Sequence, residues 1–275
     1  MKYLKIALLI ILAAVTIPLL YTSLPVGLDW RDAYRPAALV MLHGGDPYTG
    51  TPAPFLNAPW TLLPFIPFAL MPYQIGRVGI FIVGLAGFAY IAYKLKAKPL
   101  AMVIFLSSAS VVGCLNNGNL DWLPMLSFVL PAPVGLLFAV MKPQVGIGVI
   151  LYWLVMSYRE GGVKRVAYIF APVTILTLAS FALYGFWFLH FADMKGNINN
   201  ASLFPYGAIV GFVLMWLSLR KDGSGRYAMS ASPFLAPYVS QFSWAAVLTP
   251  FFERPWLMAA VSAVLWVPVV IRVIA

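Results

Sequence analysis

Between Asp121 and Arg159 the chain carries a single charged side chain, Lys142. Comparable uncharged runs fill most of the sequence, each broken by a short polar or basic stretch. That feature constrains the fold more than any motif does. In hydrocarbon every backbone N–H and C=O must find its partner within the chain, and helices meet that demand segment by segment. Only 9% of the residues are charged and 62% are hydrophobic, against roughly 25% charged in soluble domains. A water-soluble globule is thereby excluded. The expectation is an all-α, polytopic transmembrane protein whose residues 1–275 form one integral-membrane domain.

The net charge of +10 does not alter that class. Lys94, Lys96 and Lys98, the run Arg159 to Arg165, and Arg220, Lys221 and Arg226 stand in short clusters between apolar runs. Such clusters mark cytoplasmic loops under the positive-inside rule. A nucleic-acid groove needs a continuous basic face, so no nucleic-acid partner is expected. The single cysteine, Cys114, permits no internal disulfide.

Taken in order, Lys2 and Lys5 precede an apolar run with no small-residue cleavage site behind it. Residues 5–24 therefore read as an uncleaved first helix. Residues 25–58 follow as an external loop rich in Pro, Gly and Asp. Within it Asp32 to His43 reads as a short interfacial helix, with Ala37, Ala38, Leu39 and Met41 on its apolar side. Gly44-Gly45 ends it and Asp46-Pro47 turns the chain. Pro59, Pro64, Pro67 and Pro72 forbid a regular helix over 59–72, leaving a bent span or a re-entrant segment. Further spans read as 74–93, 99–115, 144–158, 166–188, 204–219, 229–250 and 256–272, with breaks at Pro131-Ala132-Pro133 and Lys142-Pro143. The total is about nine or ten membrane segments.

Chemistry is sought where charge is concentrated beside this apolar body. Asp29, Arg31, Asp32, Tyr34 and Arg35 crowd the start of the external loop. A carboxylate half-buried there is a candidate general base, set against the alternative of a solvated loop acid. Lys142 is an ionisable group at membrane depth, which points to function; the alternatives are snorkelling or capping a broken helix. The Asn116-Asn117-Gly118-Asn119 turn with Asp121 caps the next helix or hydrogen-bonds a sugar. His190 and Asp193 are too few to claim a metal site. Gly-Lys-Ser/Thr loops, His-Glu-x-x-His and paired cysteines are all missing from the sequence. No cofactor and no metal are expected.

The order of these elements resembles a known family. It runs Asp29-Trp30-x-x-Ala33-Tyr34, Gly44-Gly45-Asp46-Pro47-Tyr48, Ala58-Pro59-Trp60, Asn117-Gly118-Asn119, Lys142-Pro143 and Ser232-Pro233-Phe234. It resembles the bacterial polyprenol-phosphate-mannose-dependent mannosyltransferases of the C-type membrane glycosyltransferase fold. Two departures stand out: Tyr34 lies one residue further from Asp29 than the family's spacing, and the family's Gly-Gln-x-Asn is here Asn117-Gly118-Asn119-Leu120, without glutamine.

The resemblance implies an inverting transfer of a mannose-like sugar from a polyprenyl-phosphate donor to a glycan or lipid acceptor, at the extracytoplasmic face of a bacterial cytoplasmic membrane. Asp29 is the implied base, with Asp32 next in line. Lys142, Arg31 and Arg35 are implied to stabilise the leaving phosphate, and His190 to contact it. Trp60 and Tyr48 are implied sugar-stacking groups beside Trp30, and Asn117 and Asn119 join Tyr34 in binding substrate. Membrane lipids, and a larger membrane complex of the cell envelope, are the remaining expected partners. The competing reading is a non-catalytic membrane subunit or lipid-binding scaffold that keeps the fold; a transporter ranks third, since no internal repeat is visible. One geometric feature separates the first two. An enzyme requires Asp29 and Lys142 on one open cavity, whereas a scaffold fills that space with side chains.

Overall fold

The four prolines between 59 and 72 act first on the fold, because they turn what composition would make a helix into a packed, irregular insert. The computed structural model describes residues 15–190, 199–220 and 224–274, and it contains no strand among them. Helix α1 covers residues 15–23 of the first apolar run; residues 1–14 lie outside the described part. A π-type turn, Trp30–Tyr34, runs directly into α2, Arg35–Leu42. His43 closes α2 and Gly44, at φ 77°, turns the chain away. The tip of the following turn is fixed by Asp46, whose carboxylate accepts from the Tyr48 N–H at 2.9 Å.

The short helix expected after the first apolar run is thus present, but its small residues are packed inside the protein. Ala37 and Ala38 are fully buried, and α2 packs on α3, Ile66–Leu70. Alanine lets two backbones approach closely, which favours protein over lipid as the neighbour. Before α3, Pro59–Phe65 forms a 3₁₀ stretch with Trp60, Leu62 and Phe65 buried. At its head, the Ala58 N–H donates to Met141 C=O at 3.2 Å. One side of the proline-rich segment therefore packs into the interior, while Pro64, Pro67 and Pro72 stay exposed.

Helix α4, Tyr73–Lys94, follows the expected span closely. At 1.5 Å per residue it is about 33 Å long, enough for a hydrocarbon core of about 30 Å. The next expected span is broken. Helices α5, Pro99–Leu106, and α6, Ala109–Asn117, meet at Ser107-Ser108 with a 50° bend, because Ser108 adopts an extended conformation between them. Helix α7, Trp122–Met125, continues as a 3₁₀ turn, Leu126–Phe128, and is followed by α8, Ala132–Met141.

Lys142, at φ −144° and ψ 84°, separates α8 from α9, Pro143–Tyr184. Pro143 occupies the first helical turn, where its missing N–H loses nothing. Helix α9 is far longer than one bilayer crossing, and its backbone leaves the helical region at Gly161 and Gly162, inside the basic run expected to be a loop. Helix α10 is Ala208–Leu219 and α11 is Gly225–Leu235. The expected continuous span 229–250 is instead α11 followed by a 3₁₀ stretch, Gln241–Phe251. Between them Pro237 and the Asn200 side chain, which takes the Val239 N–H at 3.1 Å and gives to Pro237 C=O at 3.1 Å, hold the chain non-helical. Helix α12, Pro255–Ile274, completes the described chain after a turn tied by the Arg226–Glu253 ion pair at 2.9 Å.

Two described helices, α4 and α9, are long and apolar enough to cross a bilayer, and the bent pair α5–α6 makes a third if it counts as one span. The remaining apolar helices are shorter. One core of buried residues runs from Trp30 through Trp122 to Met258, so the loop after α1 packs against the interior of the same body.

Candidate functional site

A buried guanidinium builds the floor of the site. Arg77, on α4, is fully buried. Its Nη2 donates to the Leu115 and Asn116 carbonyls at 2.9 and 2.8 Å, and its Nε to Pro25 C=O at 3.3 Å. The first two are carbonyls of the last turn of α6, where the helix dipole favours a cation. The third belongs to the loop that leads to Asp29. Gly27 is in the left-handed region, at φ 73°, with Arg77 directly against it; a side chain there would collide with the guanidinium. The Leu28 N–H completes the join, donating to Asn117 Oδ1 at 3.0 Å. Gly118, at φ 68°, then ends α6 in a left-handed turn against Trp30.

This arrangement carries Asp29, Asn119, Asp121 and Lys142 into one network. Asn119 Nδ2 donates to Asp29 Oδ2 at 2.6 Å. Asn119 Oδ1 accepts from Lys142 Nζ at 3.0 Å and from the Asp121 N–H at 3.1 Å. Lys142 Nζ is ion-paired with Asp121 Oδ1, and both side chains are buried. The other oxygen, Asp121 Oδ2, accepts from Ser243 Oγ at 2.7 Å and Ser240 Oγ at 3.3 Å. Both hydroxyls come from the start of the 3₁₀ stretch after α11. Lys142 therefore neither snorkels nor caps, and Asp121 makes no side-chain cap on α7. An ammonium this deep requires a counter-ion, and Asp121 supplies it.

Asp29 is half-buried, and burial pushes its carboxyl above the usual carboxylate range, opposed by the Asn119 hydrogen bond and then by Lys142. It lines a cavity of about 1050 Å³ together with Tyr34, Asn117, Asn119, Lys142 and Tyr238. The same cavity has an apolar wall from α12, formed by Val261, Val264, Leu265 and Pro268.

The other residues singled out in the sequence lie elsewhere. Asp32 is bonded to Arg31 at the surface, Oδ1 to Nε at 2.6 Å, and that hydrogen bond holds its carboxyl below the usual range. Neither residue lines the cavity. Arg35 sits over the Tyr73 ring at 6.0 Å, also away from the lining. Trp60 is interior, its Nε1 donating to Leu137 C=O at 3.1 Å. Tyr48 stacks on His190, ring centroids 5.3 Å apart, and donates its hydroxyl to Asn57 C=O at 2.7 Å. Neither lines the cavity, although Asn57, which accepts from Tyr48, does. Asp193 falls in 191–198, outside the described residues. Sequence reading passed over Arg77, Ser240, Ser243, Tyr238 and Gln144, the last also in the cavity lining, and left Asp121 between a helix cap and a sugar contact. Two signals were available: Arg77 is a charge inside an apolar span, and a lone Lys142 implies an acid nearby.

The fold and site together define a class: an all-helical protein with membrane-length apolar helices and a polar, ion-paired cluster on an otherwise greasy cavity. No family model, no curated protein and no solved structure matches the chain. Among the described residues no group of three or more His, Cys, Asp or Glu could hold a metal.

Proposed function

We propose that the chain is a multi-pass membrane glycosyltransferase of the C-type architecture, moving a mannose-like sugar from a polyprenyl-phosphate donor to an acceptor outside the cytoplasmic membrane. The observation that carries this reading is the mixed lining of the cavity of about 1050 Å³, which joins Asp29 and Lys142 to the apolar wall of α12. A volume at the top of the usual ligand-site range has room for a sugar and the first part of a lipid chain. A scaffold that neither reacts nor binds lipid would have no need of that space.

In this reading the acceptor O–H approaches the anomeric carbon from the face opposite the phosphate. The new C–O bond forms as the bond to the phosphate oxygen breaks, Asp29 takes the acceptor's proton, and the lipid phosphate leaves with the electron pair. Lys142 has three N–H donors, of which Asp121 and Asn119 account for two. The third is available to a phosphate oxygen, although the Asp121 charge beside it weakens the attraction. Arg31 and Arg35, off the cavity, have no direct part.

Transfer of radiolabelled sugar from polyprenyl-phosphate donors by purified protein tests the proposal, with wild type beside Asp29→Asn. Wild-type transfer that disappears in a folded Asp29→Asn supports it. Undiminished transfer by Asp29→Asn removes Asp29 as the base, and absence of transfer with every donor favours the scaffold.

A further inference from the structure

The oxygen and nitrogen of an asparagine amide are told apart by what surrounds them. At Asn119 one end of the amide faces two donors, Lys142 Nζ and the Asp121 N–H, so it must be the oxygen. The other end is then the NH₂ group, and it meets Asp29 Oδ2 at 2.6 Å. Asn117 repeats the pattern more weakly: its Oδ1 takes the Leu28 N–H, and its amide also favours the ionised form of Asp29.

We infer that Asn119 is the positioning residue of this site, its amide locked by Lys142 and the backbone of Asp121 so that its N–H is presented to Asp29 and aims that carboxylate into the cavity. The ion pair buried behind Asn119 thereby acquires a purpose. It fixes the direction of an amide, and the amide fixes a carboxylate that the pair does not touch. Asn119 is itself buried, at 6% exposure, so water competes little with these partners. The groups facing Asp29 are Lys142 at the head of α9, Asp121 before α7, Cys114 on α6, Tyr34 in the π-type turn and Tyr238 after α11. Lys142 favours the ionised form, and Asp121 opposes it. Burial opposes it most strongly, which leaves the Asn119 donor as the largest influence that keeps Asp29 able to accept a proton.

The catalytic meaning of this role rests on reading Asp29 as the base; the orientation of the amide does not. The test therefore titrates Asp29 directly in the full-length protein, by carbon-13 NMR of labelled aspartate in detergent, with the Asp29 signal identified by Asp29→Asn. Asn119→Asp keeps the shape but replaces the donor with an acid, and is expected to raise the Asp29 midpoint by about one pH unit or more. Asn119→Ser, which covers the case that Asn119→Asp does not fold, is expected to raise it by less. The acid limb of sugar transfer should move by the same amount. A midpoint unchanged in folded variants overturns the inference. A midpoint that rises while the acid limb stays in place upholds the inference and removes Asp29 as base.

Discussion

Two carboxylate–cation pairs stand near the start of the cavity, and they could hardly differ more. Arg31 and Asp32 are neighbours in sequence and half-exposed at the surface, with side chains 49% and 25% accessible. Asp121 and Lys142 lie far apart in sequence, on either side of α7 and α8, with side chains 0% and 6% accessible. The surface pair forms by default, because adjacent opposite charges find one another in water whatever the fold does. The buried pair forms only if two helix boundaries meet correctly. Charge density along the sequence pointed to the first pair, while the geometry of the cavity belongs to the second.

Breaking the buried pair should have the largest effect on the fold. Lys142→Met leaves the Asp121 carboxyl enclosed without its counter-ion, and should lower unfolding stability in detergent by about 3–5 kcal/mol. The double variant Asp121→Asn with Lys142→Met should recover part of that loss, and a double-mutant cycle measures the coupling. A double variant no better than the single would mean that the two charges do not interact as the structure has them.

Arg77 is the intermediate case, a buried cation held by carbonyls through Nε and Nη2 but not through Nη1. Arg77→Met should cost about 2–3 kcal/mol through its lost charged hydrogen bonds. It should also loosen the loop before Asp29, read as faster amide hydrogen exchange over 25–29.

Asp29→Asn should move stability the other way. The Asp29 carboxyl is raised by burial in the folded chain, so the fold disfavours ionisation. That penalty is absent below the unfolded value, grows as pH rises from there to the folded one, and is full above it. The neutral amide of the variant carries no such penalty, so its thermal melting should occur at a higher temperature than wild type near neutral pH and at an equal one in acid. The smallest effect belongs to the surface pair. Asp32 is held below its usual range by Arg31, so any contribution to stability is present above the unfolded value and lost as pH falls through the folded one. Arg31→Ala should leave the melting temperature unchanged at neutral pH, since exposed pairs contribute little. A marked drop would place Arg31 within the structural network after all.

The contrast also explains what could be read from the chain unaided. The helical class followed from uncharged runs, and α4 was legible almost to the residue because nothing interrupts it. Asp29 and Lys142 were visible as charges at hydrocarbon boundaries. The bend at Ser107-Ser108 and the split after Leu235 were not, since serine and a single proline also occur in straight spans. Asp121 was left between a helix cap and a sugar contact, because an acid before a short helix fits either locally; only Lys142, returned to it at the end of α8, shows its partner. Arg77 was hidden by averaging, one charge among strongly apolar neighbours.

Arg77 also bears on how such a sequence can drift over time. It grips main-chain oxygens at 25, 115 and 116, and a carbonyl is the same whichever side chain sits beside it. Those three positions can therefore vary in related chains without releasing the loop. Position 27 has no such freedom: any side chain larger than hydrogen there occupies the space of the guanidinium. Wherever arginine is kept at 77, glycine should therefore be kept at 27.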